Sequence, residues 1–400
     1  MIVDRLSLTD FRNYATADVG FTEGANLVVG SNGQGKTNLV EALGYLSTLG
    51  SHRVSSDHAM IRQGRDSAVV RVQLRHVERQ VLVEVQLNRS SANRAQINRS
   101  PIKVRELPRY FSSVLFAPED LALIRGEPSG RRRFLDELLM LRSPRFSGVF
   151  ADYDRVLRQR NSLLKSARAS GAKGAQLSTL DIWDERLIVL GTQIIAARAQ
   201  LVAALLPEVQ AAYLSVAGAD HHAHLTSSLS IFGGGSEAGD DGMEPGIHTA
   251  SQASNTSADS DIEAAFRQQL ATVRRNELER GVTLVGPHRD DLILGLNDLP
   301  ARGYASHGES WSFALSLKLA SAVLLRRESS LGDPVLILDD VFAELDEHRR
   351  SRLAEAVTGF TQVLITAAVF DEVPRELTGN TVHVVAGTIV DAPEQLERMR

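Results

Sequence analysis

The sequence predicts an α/β fold whose sheet is begun by residues 1–130, interrupted by a helical arm over 131–280, and completed by 281–400. Three observations carry this reading. The octapeptide Gly30-Ser31-Asn32-Gly33-Gln34-Gly35-Lys36-Thr37 follows a short apolar run and precedes a helical pattern. A long stretch of helical periodicity then occupies the middle of the chain. Finally, strand and helix patterns alternate again around an apolar run that ends in Asp339-Asp340, and alternation after a helical middle implies that the last third joins the sheet of the first.

Taken in order, Val3–Leu8, Ala17–Phe21, Ala25–Val29, Ala68–Leu74, Val81–Leu87 and Val114–Phe116 are strand candidates, the last ended by Pro118. From Arg131 the period changes. Trp183, Leu187, Leu190, Ile194, Ala197, Leu201 and Ala204 step by alternating fours and threes, a bundle or coiled-coil seam about three heptads long. Tyr153, Val156, Leu157, Leu163 and Leu164 supply a facing stripe across a Gly171–Gly174 turn, so a short helical hairpin is expected. Residues 233–260 carry three consecutive glycines, many Ser and Asp, and no Lys or Arg. This composition reads as a flexible acidic insertion, a tolerated surface loop. Beyond it Asp261–Arg280 is helical, followed by Thr283–Val285 (strand), Gly308–Arg327 (helix), Val335–Leu338 (strand), Ala343–Val357 (helix), and the strands Val363–Thr366 and Val382–Val385.

Composition bounds the function classes. With 400 residues and 43% apolar content the chain can build two or three cored domains. The absence of cysteine removes disulfides and thiolate metal sites. The start of the chain lacks a basic segment followed by an apolar one, and no apolar run reaches the ~20 residues of a membrane span, so a cytoplasmic protein without a membrane partner is expected. A net charge of −5 neither advertises nor excludes nucleic acid, because a basic face can sit on an acidic protein.

The octapeptide between strand and helix is a phosphate-binding P-loop. Its glycines let backbone N–H groups converge on a phosphate, and the helix N-terminus adds its positive dipole end. Lys36 would neutralise the β- and γ-phosphates, and the Thr37 hydroxyl would ligate Mg²⁺. ATP or GTP is the expected ligand. The apolar run Val335–Leu338 ends in two acids, and ligands bind at the C-terminal ends of strands in open α/β sheets. Asp339 is thus expected to hold Mg²⁺, directly or through water, and Asp340 to orient and polarise the attacking water. Ser306-His307-Gly308 opens a further helix, forming a second anion-binding turn 33 residues before Asp339 but 269 residues after Thr37.

The order P-loop, Ser-x-Gly turn, apolar strand ending Asp-Asp, then Glu344-Leu345-Asp346 resembles the ATP-binding-cassette (ABC) ATPases. The separation between its halves is similar to that of the SMC-like group. More narrowly, the chain resembles the RecF family of bacterial recombination mediators, through residues spread almost end to end. These are Leu8-Thr9-Asp10-Phe11-Arg12-Asn13-Tyr14, the P-loop, Ser51-His52-Arg53, Phe116-Ala117-Pro118-Glu119-Asp120-Leu121, Pro128–Asp136, Gly286-Pro287-His288-Arg289-Asp290-Asp291 and Asp339–Asp346.

The resemblance implies an ABC-type ATPase head, with Ser306 and Gly308 capping the γ-phosphate bound by a second copy. ATP would then hold a twofold homodimer, and Lys36, Asp339, Asp340 and Ser306 would carry its turnover. It further implies that the dimer encloses gapped or duplex DNA, that hydrolysis releases it, and that RecO and RecR are partners in loading a recombinase. Asn13 lies beside the P-loop in this family and could approach the base; a turn-forming role is the other reading. Arg131-Arg132-Arg133 could meet DNA phosphates or form a solvated first turn. His288–Asp291 is expected to form a charge network beside the site, since adjacent residues on an extended segment point to opposite faces. Arg53 could sense nucleotide or DNA.

Two departures stand out. Glu309 occupies a position usually held by Gln, and Asp340 stands where transporters carry Glu, one methylene longer, which implies slow turnover. Three other readings fit less well. A transporter ATPase places its signature about a hundred residues after the P-loop. A structural SMC clamp needs far longer arms than 131–280, and a GTPase carries an Asn-Lys-x-Asp motif that is absent here.

Overall fold

The computed structural model describes residues 1–76, 79–170, 178–233, 259–329 and 332–390. The expected acidic insertion and the Gly171–Gly174 turn fall almost entirely outside these residues. The chain divides into two compact units, one comprising 1–121, 208–221 and 306–400, the other 122–207 and 222–305. The breaks at 121 and 305 differ from the expected 130 and 280. The first unit also takes back Glu208–His221 from the middle of the chain.

The first unit contains two six-stranded sheets. One is antiparallel, in the order Tyr14–Gly20, Ile2–Phe11, Ser67–His76, Arg79–Asn88, Arg94–Ile97 and Ser100–Ile102. Alternation of buried and exposed residues along Ser67–His76 matches a sheet with one covered face. The other sheet runs Thr388–Val390, Asn380–Val385, Gly24–Val29, Gln362–Ala367, Val335–Asp339 and Ser113–Phe116, parallel except for the terminal hairpin. Two of its parallel strands come from before residue 121 and three from after 334, so the last third does complete the sheet begun by the first. Every residue of Val335–Asp339 and Gln362–Ala367 is buried, as expected of parallel strands covered on both faces.

The P-loop helix, Lys36–Thr48, is buried nearly all round. Its Leu39, Leu43 and Leu46 share one apolar core with Leu6, Val70 and Val85 of the antiparallel sheet and Ile337 and Leu364 of the parallel one. Gln362, fully buried, also ties the two sheets: its Oε1 accepts from the Val3 N–H (2.8 Å) and its Nε2 donates to the carbonyls of Val3 and Thr22 (both 2.9 Å).

The second unit packs Phe146–Ser170, the part of Ser178–Ala217 before Glu208, and Asp259–Arg280 around Tyr153, Val156, Leu187, Ile194, Phe266 and Leu270. The expected two-helix stripe is therefore shared with a third helix. Ser178–Ala217 is 40 residues long and, by length and composition alone, apolar enough to cross a membrane. This corrects the expectation that no stretch reaches that length. More than half of the qualifying stretch is buried within the fold, which is a physical reason for its apolarity. A small sheet, His224–Ser228 with Asp291–Leu296 and Leu299–Pro300, completes the unit.

Two further expectations change. Thr283–Val285 is not a strand; Thr283 is buried and its hydroxyl bridges Arg160 and Asn161, and the strand begins at Asp291. The helix expected from Ala343 begins at Glu347, because Val341–Glu344 forms a 3₁₀ turn and Asp346 is the N-cap, its Oδ1 accepting from the Arg349 N–H at 2.9 Å.

Candidate nucleotide site

Strand register assembles the first half of the site. Gly24–Val29 pairs in parallel with Gln362–Ala367, which pairs with Val335–Asp339 so that Asp339 lies opposite Thr366. The P-loop, Asp339 and Thr366 therefore emerge at one edge of the sheet, the C-terminal ends of its strands. The loop bends as its composition requires. Gly35 has φ +118°, and a Cβ there would lie 2.7 Å from Asn13 Nδ2 and 2.8 Å from the Tyr14 hydroxyl, so only glycine fits. Ser31, Asn32 and Gly33 are exposed, Gly30 and Gln34 half-buried, and Lys36 is buried beneath them.

Four of the expected residues come together. The Thr37 hydroxyl donates to Asp339 Oδ1 (3.1 Å), and the Thr366 hydroxyl donates to the same oxygen (2.6 Å). Lys36 Nζ donates to Asn32 Oδ1 (3.4 Å) and lies 3.8 Å from Asp340 Oδ1. The Asp340 backbone is left-handed (φ 51°), and its N–H is shared between the Thr366 carbonyl (3.2 Å) and hydroxyl (3.0 Å). Burial, with Asp340 and Glu119 nearby, pushes the Asp339 carboxyl up to about 6. A threonine hydroxyl and a carboxylate raised chiefly by burial form an all-oxygen donor set suited to a hard divalent cation. Mg²⁺ held there by Thr37 and Asp339 would supply countercharge to bound phosphates.

Asn13 is engaged with protein atoms. Its Nδ2 donates to the Gln34 carbonyl (3.0 Å), and its Oδ1 accepts from Asn38 Nδ2 (2.8 Å), whose own Oδ1 accepts from Arg53 Nη1 (3.1 Å). The neighbouring Arg12 forks onto Glu41 of the P-loop helix (2.7 and 2.5 Å), and the Tyr14 hydroxyl donates to the Gly35 carbonyl (3.1 Å). The turn Phe11–Tyr14 thus braces the P-loop from one side. From another side comes the hairpin turn Ala386-Gly387: Ala386 N–H donates to Gln34 Oε1 and Gly387 N–H to the Gln34 carbonyl (3.1 Å).

Ser306 finds its partner within its own turn, and Gly308 packs against a neighbouring helix. Ser306 and Glu309 form a capping box at the head of His307–Glu328: the Glu309 N–H donates to Ser306 Oγ (3.3 Å), and the Ser306 N–H to Glu309 Oε2 (2.8 Å). The hydrogen bonds from Ser306, with His221 and Arg349 nearby, hold the Glu309 carboxyl below its usual range. Gly308 is packed under Arg349, whose Nη2 would lie 2.8 Å from an added Cβ; Arg349 in turn pairs with Asp346. Among the described residues, no hydrogen bond or ion pair joins this turn to the P-loop of the same chain.

Three neighbours were not expected as site residues. Thr366 follows the apolar run Val363–Ile365, and only register brings it opposite Asp339. Glu119 and His52 lie in short segments that carry the family resemblance but give no local sign of a role at this site; His52 Nε2 is 3.9 Å from Asp339 Oδ2.

The basic and polar segments of the second unit are occupied. Arg131 is buried and forks onto Asp291 (both 2.8 Å), half-buried Arg132 donates through Nη1 to the Asp290 carbonyl (2.7 Å), and Arg133 alone of the three is exposed. The Tyr153 hydroxyl meets His288 Nδ1 at 2.8 Å, and burial drives that imidazole down to about 3. Asp290 Oδ1 accepts from the Ser230 N–H and hydroxyl (both 2.8 Å). The His288–Asp291 network therefore belongs to the second unit, whereas the P-loop lies in the first.

Residues 2–373 match the family RecF/RecN/SMC N terminal domain. The chain is 66% identical over 393 residues to the DNA replication and repair protein RecF of Clavibacter michiganensis subsp. michiganensis, covering 98% of this chain and 96% of that one. It is likewise 66% identical over 391 residues to the protein of the same name from Leifsonia xyli subsp. xyli, covering 98% and 100%. It superposes with a TM-score of 0.83, at 26% identity and 97% coverage of both chains, on the solved structure of the recombination mediator protein RecF-ATPrS in the RecFOR pathway. The chain belongs to the RecF family of DNA replication and repair proteins and has the α/β fold of the ABC-type, SMC-like ATPases.

Proposed function

We propose that the chain is an ATP-dependent DNA-binding switch. The observation that carries this is the convergence of Lys36, Thr37, Asp339 and Asp340 at one sheet edge. Lys36 and the P-loop amides bind the β- and γ-phosphates of ATP, Thr37 and Asp339 hold Mg²⁺, and Asp340 orients the attacking water for slow turnover. The related RecF structures described with ATPrS and with ATP support ATP as the ligand.

Ser306 and Gly308 complete the site in a second copy of the chain. This helix N-terminus bonds nothing in its own P-loop among the described residues, and its positive dipole end is suited to meeting the phosphate of a partner. ATP thus joins two heads, with two sites at one twofold interface. Both Asn13 amide atoms are committed, which favours bracing of the P-loop over reading of the base.

DNA is the proposed cargo, gapped or duplex, held by phosphate contacts that are largely independent of sequence. Residues 51–110 hold twelve Arg and Lys against five Asp and Glu, in a chain whose totals are 44 against 49. Arg79, Arg94, Arg99, Lys103, Arg105 and Arg109 of this stretch are exposed. RecO and RecR are the proposed partners, from the RecFOR pathway named with the related structure.

The test is fluorescence anisotropy of gapped duplex DNA with ATP, ADP or no nucleotide, for the wild type and Ser306→Arg. ATP alone is expected to tighten binding, and the variant to lose that gain. DNA binding that ignores nucleotide would overturn the switch.

A further inference from the structure

The two oxygens of Asp339 are not equivalent. Oδ1 already accepts two hydroxyl hydrogen bonds, from Thr37 and Thr366. Oδ2 faces His52 Nε2 across 3.9 Å, too far for a direct hydrogen bond. That nitrogen is sealed from solvent and has no hydrogen-bond partner among the described residues. A buried nitrogen left in this state calls for an explanation, and an ion or ligand shell is one of the standard ones.

The segment that carries the imidazole is tied to the P-loop helix on both flanks. Ser51 Oγ donates to Glu41 and accepts from the N–H groups of Arg53 (3.0 Å) and Val54 (3.2 Å), while Arg53 Nη1 donates to Asn38. The charged groups facing the ring are Glu119 and Asp120, which follow the strand Ser113–Phe116, Glu41 of the P-loop helix, and Arg53 beside it. The ring thus sits at the carboxylate side of the site, on an anchored segment, with its open nitrogen turned to the free oxygen of Asp339.

We infer that His52 is a positioning residue of the Mg²⁺–ATP site, its Nε2 and Asp339 Oδ2 together holding one water ligand of the cation. A cation-bound water is strongly polarised and has two hydrogen bonds to donate. The carboxylate oxygen takes one and the imidazole nitrogen the other, and two acceptors 3.9 Å apart are within reach of a single bridging water. Burial, which favours the neutral ring, is compatible with an accepting nitrogen. This inference rests on the ATP–Mg²⁺ reading above and adds to it a residue from outside the P-loop and the Val335–Asp339 strand.

The experiment is an equilibrium titration of a fluorescent ATP analogue, in Mg²⁺ and in EDTA, on wild type, His52→Phe, His52→Leu, His52→Gln and Lys36→Met, with a melting curve for each. The wild type should gain affinity from Mg²⁺. His52→Phe should lose about tenfold of that gain, the effect typical of an outer-shell ligand, with affinity in EDTA and melting temperature unchanged. His52→Gln, which restores an acceptor, should recover most of it. If Phe does not fit, the smaller His52→Leu serves the same comparison. A folded Phe or Leu variant with the full Mg²⁺ gain overturns the role of His52. A wild type that binds no nucleotide, or a Lys36→Met that binds as well as wild type, overturns the underlying ATP reading instead.

Discussion

Two buried charge clusters, one in each unit, are resolved in opposite ways. In the second unit Arg160 is fully buried and closed on all sides: Nε meets Asp184 at 2.6 Å, Nη2 meets Glu277 at 2.6 Å, and Nη1 meets the Thr283 hydroxyl at 2.8 Å. Glu277 also accepts from the Leu284 N–H, so one guanidinium fixes the junction after the helix Asp259–Arg280. In the first unit Asp339, Asp340 and Glu119 crowd together with Lys36 at 3.8 Å and an unpaired His52 nitrogen. Closed networks hold a fold in place, whereas an acidic cluster with its countercharge incomplete is where a cation and phosphates belong. The contrast separates the site from the scaffold without reference to any relative.

That contrast can be broken by exchanging the consequences of mutation. The largest effect is expected from Arg160→Met, which strands the buried Glu277, leaves Asp184 to Arg274 alone, and should cost about 3–5 kcal/mol of stability. Chemical denaturation would measure it, while ATP affinity of the protein still folded stays unchanged. A loss below about 1 kcal/mol would show that the cluster is not closed as described. Lys36→Met should do the reverse, lowering ATP affinity about a hundredfold, or ~2.7 kcal/mol, while stability moves by less than about 1.5 kcal/mol. Nucleotide titration beside the same denaturation curve makes the pair a double dissociation.

Asp340→Asn sharpens the assignment within the open site. It should keep ATP binding yet slow hydrolysis by about tenfold or more and prolong the ATP-held dimer; normal turnover would place the catalytic acid elsewhere. The smallest effect is expected for Glu309→Gln. A glutamine keeps the capping bond to the Ser306 N–H and loses only the half-exposed pairing with His221 at 3.5 Å. Stability should stay within about 0.5 kcal/mol. A larger loss would mean that the acid itself, and not the cap, holds the signature turn.

Much of the site was legible because its demands are local. A P-loop needs glycine where the backbone turns left-handed and a lysine and hydroxyl at the helix start, and these needs are written consecutively from Gly30 to Thr37. Asp339 and Asp340 were legible as acids ending an apolar run. By contrast, the helix expected from Ala343 fails because Asp340 takes a left-handed turn and Asp346 caps the helix three residues further on. Arg131 and Arg132 read as surface cations, yet they are consumed by Asp291 and the Asp290 carbonyl, partners some 160 residues away.

By itself, then, the sequence determined the kind of sheet, the P-loop, the paired acids and the helical character of the middle segment, since each follows from periodicity or from backbone chemistry within about ten residues. Tertiary structure alone decided that Thr366 stands beside Asp339, that Asn13 and the Ala386-Gly387 turn brace Gln34, and that His52 faces the free oxygen of Asp339. Those neighbours arise from parallel strand register, from the turn at Asn13 folding onto a loop 21 residues further on, and from the later return of the chain to His52 and, after 352 residues, to Gln34. No local pattern encodes any of these, because a parallel pair is specified by burial across the whole sheet and not by the residues that happen to meet at its edge.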